Sequence, residues 1–401
     1  MRVLIITFGT EGDVRPMAAL GAALVGAGHV VQFMVTEDSA AAAWALAIPT
    51  IVLPGGIRAA LGGAGTTGGA PSAAALVRVV NDNTSAWLRL ALEHGADCDV
   101  VLAGGLAGFV GFSAAEKLGV LGVGAAMFPI TPTAAFASPF FPPGAPAWTN
   151  RLSHRAANNL VWRSFARATN AARKEVGLST DRHAWTDNPA LYGFSAHIVP
   201  RPDDWPSNAA ICGPWSKPTT DWEAPDDLNA FLTAGAPPIY VGFGSMALAN
   251  PRRLVAALAK AIGDRRAIFY PGWSGISRAD LPPNFHLVGP TPHDWLFTRT
   301  AMVIHHGGSG TTHAAARAGV PSIIVPFGGD QPFWADRVRR LGVAPAAINL
   351  RNPEADKIAT AIAFADSDGV RARAAELGMA IASEDGLATA VALLQAWSAV
   401  R

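Results

Sequence analysis

Cysteine is nearly absent: Cys98 and Cys212 are the 2 in a chain of 401 residues. They are too few and too far apart for a disulfide framework or a zinc site. Neither sign of charge is in excess. Lys and Arg number 31 against 30 Asp and Glu, a formal charge of +1, which gives no electrostatic reason to expect nucleic acid or an anionic membrane. The expected partner is therefore a neutral or apolar small molecule. No run of about 18 to 20 uncharged apolar residues is present to span a bilayer. The opening MRVLIITFG turns polar too soon for the apolar region and cleavage site of a signal peptide. A cytoplasmic protein without a membrane span is expected, with peripheral contact left open.

Apolar residues make up 50% of the chain, enough for two cores, and the length predicts two domains of roughly 200 residues each. Arginine outnumbers lysine and alanine is abundant, a composition suggesting a GC-rich bacterial genome. Val3 to Thr7 reads as a buried strand, Glu11 to Pro16 as a loop, Met17 to Ala27 as a helix and Val30 to Val35 as the next strand. Val100 to Ala103 and Gly122 to Ala126 continue the series. Alternation of this kind predicts parallel sheets with helices on both faces. Between Pro200 and Pro225 the chain is rich in Pro, Asp and Trp without periodicity, which marks a linker. A second series follows: strand Pro238 to Phe243, helix Arg252 to Ile262, strand Ala267 to Tyr270. The expected division is residues 1–205, a linker over 206–225, a second domain over 226–385 and a final helix within 386–401.

The densest chemistry lies between Pro292 and Asp336, PHDWLF followed by MVIHHGGSGTTHAAARAGVPSIIVPFGGDQPFWAD. An apolar strand, Met302 to Ile304, enters a turn with Gly307, Gly308 and Gly310, and a helix begins near Thr311. Glycines let the backbone approach a ligand closely, and a helix N-terminus presents free N–H groups and a positive dipole end to a phosphate. A second strand, Ser322 to Val325, ends in a polar loop with Asp330 and Gln331, at the end of an open parallel sheet where ligands bind.

HHGGSGTT, AGVP and GDQPFWAD, in this order, resemble the nucleotide-sugar signature of the UDP-glycosyltransferase superfamily, whose fold is GT-B: two Rossmann-like, doubly wound α/β domains facing across a cleft. PHDWLF and PFGGDQPFWAD are most similar to sterol glucosyltransferases and bacterial natural-product glycosyltransferases. TFGTEGDVRP at the start and the internal YVGFGSM match the same superfamily, so the resemblance spans most of the chain. It implies a metal-independent, inverting O-glycosyltransferase with no cofactor beyond its nucleotide-sugar co-substrate. The acceptor it implies is an apolar, hydroxylated small molecule. UDP-glucose is the favoured donor, and the last helix is expected to cross back onto the first domain.

Such a transfer needs a base, a grip on the leaving diphosphate and a grip on the sugar. Asp13 matches the aspartate that serves as base in the superfamily; an aspartate there also reads as the cap of the helix that follows. Glu11 stands where close relatives tend to carry arginine. Ser245, His306, Gly308, Ser309, Gly310 and Thr311 are assigned to the diphosphate. His305, adjacent on a strand end, must point to the opposite face and is expected to be packed. Asp330 and Gln331 are assigned to the sugar hydroxyls; the aspartate could equally cap the next helix. His313, Ala314 and Ala315 occupy the region where the superfamily often holds the ribose with a glutamate. Val288 lies where plant relatives place the tryptophan that stacks on the base. Trp273 is the candidate substitute, against a reading as buried core.

Phe128, Phe136, Phe140, Phe141 and Trp148, in an uncharged proline-rich stretch, are expected to form an apolar lip for the acceptor; a core-covering or membrane-touching loop is the other reading. Ile57 to Ala75 reads as a loop that orders with substrate. Asp97-Cys98-Asp99 and Asp366-Ser367-Asp368 mimic a metal-binding pair but read as turns. Three activities fit the resemblance besides glucosyl transfer to a sterol or polyketide: dTDP-deoxysugar transfer, sugar-nucleotide epimerisation, and a non-catalytic helper role.

Overall fold

The computed structural model describes residues 1–56, 73–180, 185–216, 219, 222–244, 251–272, 274–349 and 353–400. Chain order begins β1 (Arg2–Phe8), α1 (Glu11–Gly26), β2 (Val30–Thr36), α2 (Glu37–Trp44), β3 (Thr50–Leu53), α3 (Ala73–His94), β4 (Val100–Gly105), α4 (Gly108–Leu118), β5 (Leu121–Ala126), α5 (Asn150–Glu175), β6 (Ala190–Tyr192) and β7 (Ala209–Ile211). These seven strands form one parallel sheet in the order β3-β2-β1-β4-β5-β6-β7. The second half contributes α6 (Asp226–Thr233), β8 (Ile239–Gly242), α7 (Pro251–Ile262), β9 (Ala267–Tyr270), β10 (Phe285–Leu287), α8 (His293–Leu296), β11 (Met302–His305), α9 (Ser309–Arg317), β12 (Ser322–Ile324), α10 (Gln331–Arg340), α11 (Ala355–Asp366), α12 (Asp368–Ala382) and α13 (Gly386–Ala399). Its five strands form a second parallel sheet, β10-β9-β8-β11-β12.

Both orders reverse direction beside the first strand of the sheet, between β1 and β4 and between β8 and β11. Such switch points open a crevice at the carboxyl ends of the strands. The loops after β1, β8 and β11 therefore carry the residues of interest.

Strand sequences are nearly continuous apolar runs because each sheet is covered on both faces. Val3, Ile5, Phe33, Val35 and Leu102 point to one side, against Met17, Leu20 and Leu24 of α1 and Ala390, Val391 and Leu394 of α13. Leu4, Ile6, Phe8, Met34 and Val101 point to the other, against Trp87, Phe112 and Phe165. The final helix thus packs on the first sheet's own helix layer, with Gln395 Nε2 also 3.0 Å from His29 Nε2. In the second sheet, α7 places Leu254, Val255, Leu258 and Ile262 at helical spacing against Val241, Phe269 and Ile304.

Three expectations change. The segment Glu11–Pro16 is helix, not loop: Thr10 N–H donates to Asp13 Oδ2 at 2.8 Å, which fixes the helix start ahead of Pro16. β7 falls inside the stretch 206–225 expected as linker and completes the first sheet, its pairing to β6 running Ala190↔Ala209 to Tyr192↔Ile211. Of the expected loop Ile57 to Ala75, residues 57–72 lie outside the described residues, and Ala73–Ala75 form the first turn of α3.

One stretch, Asp368–Ala399, has the length and apolarity of a membrane span. It is two helices, broken at Asp385, whose side chain accepts the Ala388 N–H at 2.9 Å as the cap of α13. Both Asp-x-Asp pairs serve as turns and ion pairs. Asp99 Oδ2 accepts from Arg2 N–H at 2.7 Å, Arg265 binds both carboxylate oxygens of Asp366, and Arg371 pairs with Asp368 at 2.7 Å. Among the described residues no three of His, Cys, Asp or Glu converge as metal ligands.

Candidate active site between the two sheets

Asp13 stands in the first turn of α1, just past the end of β1. Its Oδ2 accepts from Thr10 N–H at 2.8 Å and from Thr10 Oγ1 at 3.2 Å. The carboxylate lies directly over Gly9, where an added Cβ would come within 2.2 Å of Oδ2. Burial raises its pKa above 3.8, opposed by the two bonds from Thr10. Asp13 thus closes the capping box at the start of α1 through Oδ2, the role that stood as its other reading.

The second sheet brings its own carboxylate. Asp330 precedes α10 as its N-cap, and Oδ2 accepts the indole N–H of Trp334, one turn later, at 2.7 Å. Its pKa is pushed up to about 6, first by burial and further by the negative charge of Asp13, with the Trp334 bond opposing. The influence of Asp13 on Asp330 relates the loop after β1 of the first sheet to the loop after β12 of the second. Gln331, the next residue, is 7% exposed, and its Oε1 accepts from Phe327 N–H at 2.7 Å and Gly328 N–H at 3.3 Å. Its carbonyl end is thus engaged by the loop that shapes the site.

The helix expected to meet the anion is α9, whose start at Ser309 is two residues earlier than expected, with Gly308 as its N-cap. The N–H groups of Ser309, Gly310 and Thr311 have no intrahelical acceptor and face the positive end of the helix dipole outward. His306 leans over Gly308, where a Cβ would meet Nε2 at 2.5 Å. Burial holds it down to about 4, so it is neutral near pH 7. Its Nδ1 is buried without a hydrogen-bond partner among the described residues. His305 is fully buried, and its Nδ1 accepts from Gly307 N–H at 3.1 Å, in keeping with its expected packing role. Ser309 is also buried, its Oγ 3.4 Å from His313 Nδ1. Ser245 and Trp273 lie outside the described residues.

His313 holds the two halves together. Nδ1 lies 2.7 Å from Ser309 O and Nε2 accepts from Ser195 N–H at 3.1 Å, which places the ring proton on Nδ1. Ser195 Oγ in turn donates to Glu384 Oε1 at 3.0 Å. Trp334, fully buried, lies edge-on to His313 (4.9 Å) and to Phe194 of the first half (5.7 Å).

The five aromatics of the expected acceptor lip divide. Phe136 is buried at 8%, 5.6 Å from Phe333 and with the Arg337 guanidinium 4.4 Å above its ring. It packs between the two halves because its ring meets α10, a neighbour that no local pattern specifies. Phe128 and Phe140 meet edge to face at 5.2 Å, and Phe140, Phe141 and Trp148 are exposed.

Spacing alone held part of what was missed. Thr10 stands three residues before Asp13, the interval of a capping box, and Trp334 stands four after Asp330, one helical turn. Nothing local marks the pairing of His313 with Ser195.

Two doubly wound parallel sheets whose switch-point loops share one site define the GT-B architecture. The Erythromycin biosynthesis protein CIII-like, C-terminal domain family matches residues 268–394. O-mycaminosyltylonolide 6-deoxyallosyltransferase of Streptomyces fradiae is 30% identical over 100% of this chain and 98% of its own length. A sterol 3-beta-glucosyltransferase of Arabidopsis thaliana is 36% identical over 66% of this chain, a match that covers 43% of that longer relative. The solved glycotransferase of kitacinnamycin superposes with a TM-score of 0.74 over 98% of both chains at 17% identity, a likeness of fold. The chain belongs to the glycosyltransferase family that contains the macrolide glycosyltransferases and the sterol 3-beta-glucosyltransferases.

Proposed function

We propose that the protein transfers a hexose from a nucleoside-diphosphate sugar to the hydroxyl of an apolar acceptor, with inversion and without a metal, in the bacterial cytoplasm. The observation that carries this reading is the pair Asp13 and Asp330, one from each sheet, close enough for the charge of the first to raise the pKa of the second. The acceptor oxygen attacks the anomeric carbon, its proton passes to Asp13, and the carbon–phosphate oxygen bond breaks to release the nucleoside diphosphate. A raised pKa makes Asp13 a better base for an alcohol than an exposed aspartate. The N-terminal amides of α9 and the neutral His306 are suited to the leaving diphosphate, and the second oxygen of Asp330 to a sugar hydroxyl. Phe128 and Phe140, with Phe141 and Trp148, supply apolar surface for the acceptor.

The partners already held by Asp330 Oδ2 and Gln331 Oε1 favour a second donor. A site with fewer open polar atoms for sugar hydroxyls suits a deoxysugar, and the Streptomyces fradiae relative is by its name a 6-deoxyallosyltransferase. UDP-glucose and a dTDP-deoxysugar are therefore the two donors to separate.

Melting with UDP, dTDP, UDP-glucose and dTDP-glucose, without added metal, tests the site. A ligand at about 100 times its Kd stabilises by roughly 2.7 kcal/mol. A UDP-selective shift supports glucosyl transfer and a dTDP-selective shift supports deoxysugar transfer, while no shift with any removes the donor site. Release of nucleoside diphosphate only on adding an acceptor alcohol separates transfer from epimerisation.

A further inference from the structure

Charge is balanced over the whole chain but not along it. Residues 117–174 contain no Asp or Glu, and their charged side chains run from Lys117 through Arg151, Arg155, Arg163 and Arg167 to Lys174. Most of this stretch is the acceptor loop and α5. Arg151 is paired with Asp204 at 2.5 Å, and Arg173 is buried against Glu116 at 2.9 Å. Arg155, Arg163 and Arg167 are exposed and have no ion-pair partner among the described residues.

These three arginines share the outer side of α5 with two exposed leucines, Leu152 (54%) and Leu160 (69%). At 100° per residue all five fall within about 140° of arc. The opposite side carries the buried His154, Ala157, Phe165 and Thr169. The aromatic loop is fastened over the start of the same helix. Asn150 Nδ2 donates to Ala134 O at 2.8 Å, and Ser138 N–H donates to Ser153 Oγ at 2.8 Å. Phe140 (47%), Phe141 (37%) and Trp148 (76%), the last on the short turn that leads into α5, are exposed on this loop.

We propose that this face docks on an anionic lipid bilayer. Trp148, Phe140, Phe141, Leu152 and Leu160 enter the boundary between headgroups and acyl chains, and the unpaired arginines bind lipid phosphates. Exposed aromatic and aliphatic side chains interleaved with unpaired cations fit that boundary, where tryptophan is favoured. A second copy of the chain fits less well, because a two-fold contact through this face would set the same unpaired arginines against one another. Segregated charge thus restores a partner that the balanced total of +1 argued against. Docking here also brings the acceptor loop to the phase in which apolar alcohols dissolve, although the surface itself does not depend on the transfer reading.

Flotation of the whole chain with vesicles tests it. The protein is expected to float with vesicles of equal parts phosphatidylcholine and phosphatidylglycerol, not with phosphatidylcholine alone, and to be released by salt. Neutralising three charges, Arg155→Gln, Arg163→Gln and Arg167→Gln together, is expected to weaken partition by roughly 10²-fold, about 5-fold per arginine removed. If that variant fails to melt cooperatively, the pair Leu152→Ser and Leu160→Ser serves instead and is expected to reduce flotation. No flotation of the wild type, equal flotation with neutral vesicles, unchanged flotation of the folded variants, or a concentration-dependent dimer abolished by Leu160→Ser would each overturn the proposal. Flotation requires neither donor nor acceptor, so its failure is distinct from failure of the transfer reading.

Discussion

The indole N–H of Trp334 donates to Asp330 Oδ2 at 2.7 Å from one turn along the same helix. A fully buried side chain packed against the first half of the molecule thereby orients a carboxylate proposed to hold the sugar. Trp334→Phe keeps most of the packing and removes the donor. The expected result is a donor KM raised about 10-fold with a smaller change in kcat, since a charge-assisted hydrogen bond contributes roughly 1.5 to 3 kcal/mol. Steady-state kinetics with varied donor measure it, and unchanged KM would mean that Asp330 needs no such support.

Asp13→Asn is expected to lower kcat by roughly 10²- to 10⁴-fold while donor affinity stays near wild type. Gly9→Ala probes the same carboxylate without replacing it, because the new Cβ would collide with Oδ2 and turn the side chain. Turnover should fall in both variants, with the nucleotide-induced melting shift intact. Wild-type turnover in Asp13→Asn would assign the proton to another group.

Asp330 has a folded pKa of about 6 against 3.8 for the ordinary side chain. Raised above its unfolded value, the carboxyl resists ionisation in the fold, so its cost is absent below pH 3.8 and complete above about pH 6. Asp330→Asn, which can still accept from Trp334, is therefore expected to melt higher than wild type at pH 8 and equally at low pH, while losing turnover. Calorimetry across that range reads the difference; a gap independent of pH would contradict the shifted carboxyl.

His313 accepts the buried Ser195 N–H and contacts Ser309 at the start of α9, the helix proposed to bind the diphosphate. Removing the acceptor with His313→Ala leaves that N–H unsatisfied, at a cost of about 1 to 3 kcal/mol, and opens a void beside Trp334. A lower melting temperature is expected together with weaker stabilisation by nucleotide, because the same ring supports both halves. Loss of stability with a full nucleotide shift would confine His313 to a packing role.

Much of the fold was legible because its causes are local and repetitive. Continuous apolar runs mark strands covered on both faces, and glycine followed by a polar helix start marks the turn after β11. Asp13, His306, Asp330 and Gln331 were singled out by the resemblance together with residue type at the end of a strand, and the structure places them just past the ends of β1, β11 and β12. Their partners were a different matter. That Asp13 belongs to a helix depends on Thr10 closing a capping box ahead of Pro16, a competition between cap and proline that periodicity does not resolve.

By itself the sequence determined the alternation of strand and helix, and with it which strand ends carry polar residues, since side-chain period and turn chemistry act over a few neighbours. Only the tertiary structure decided that Phe136 is buried under Arg337 and that Ser195 meets His313. It also decided that Asp13 lies near enough to Asp330 to change its ionisation. Those are contacts between elements far apart in the chain. Burial and Coulomb interaction depend on distance in space, which is settled only when the two sheets pack together.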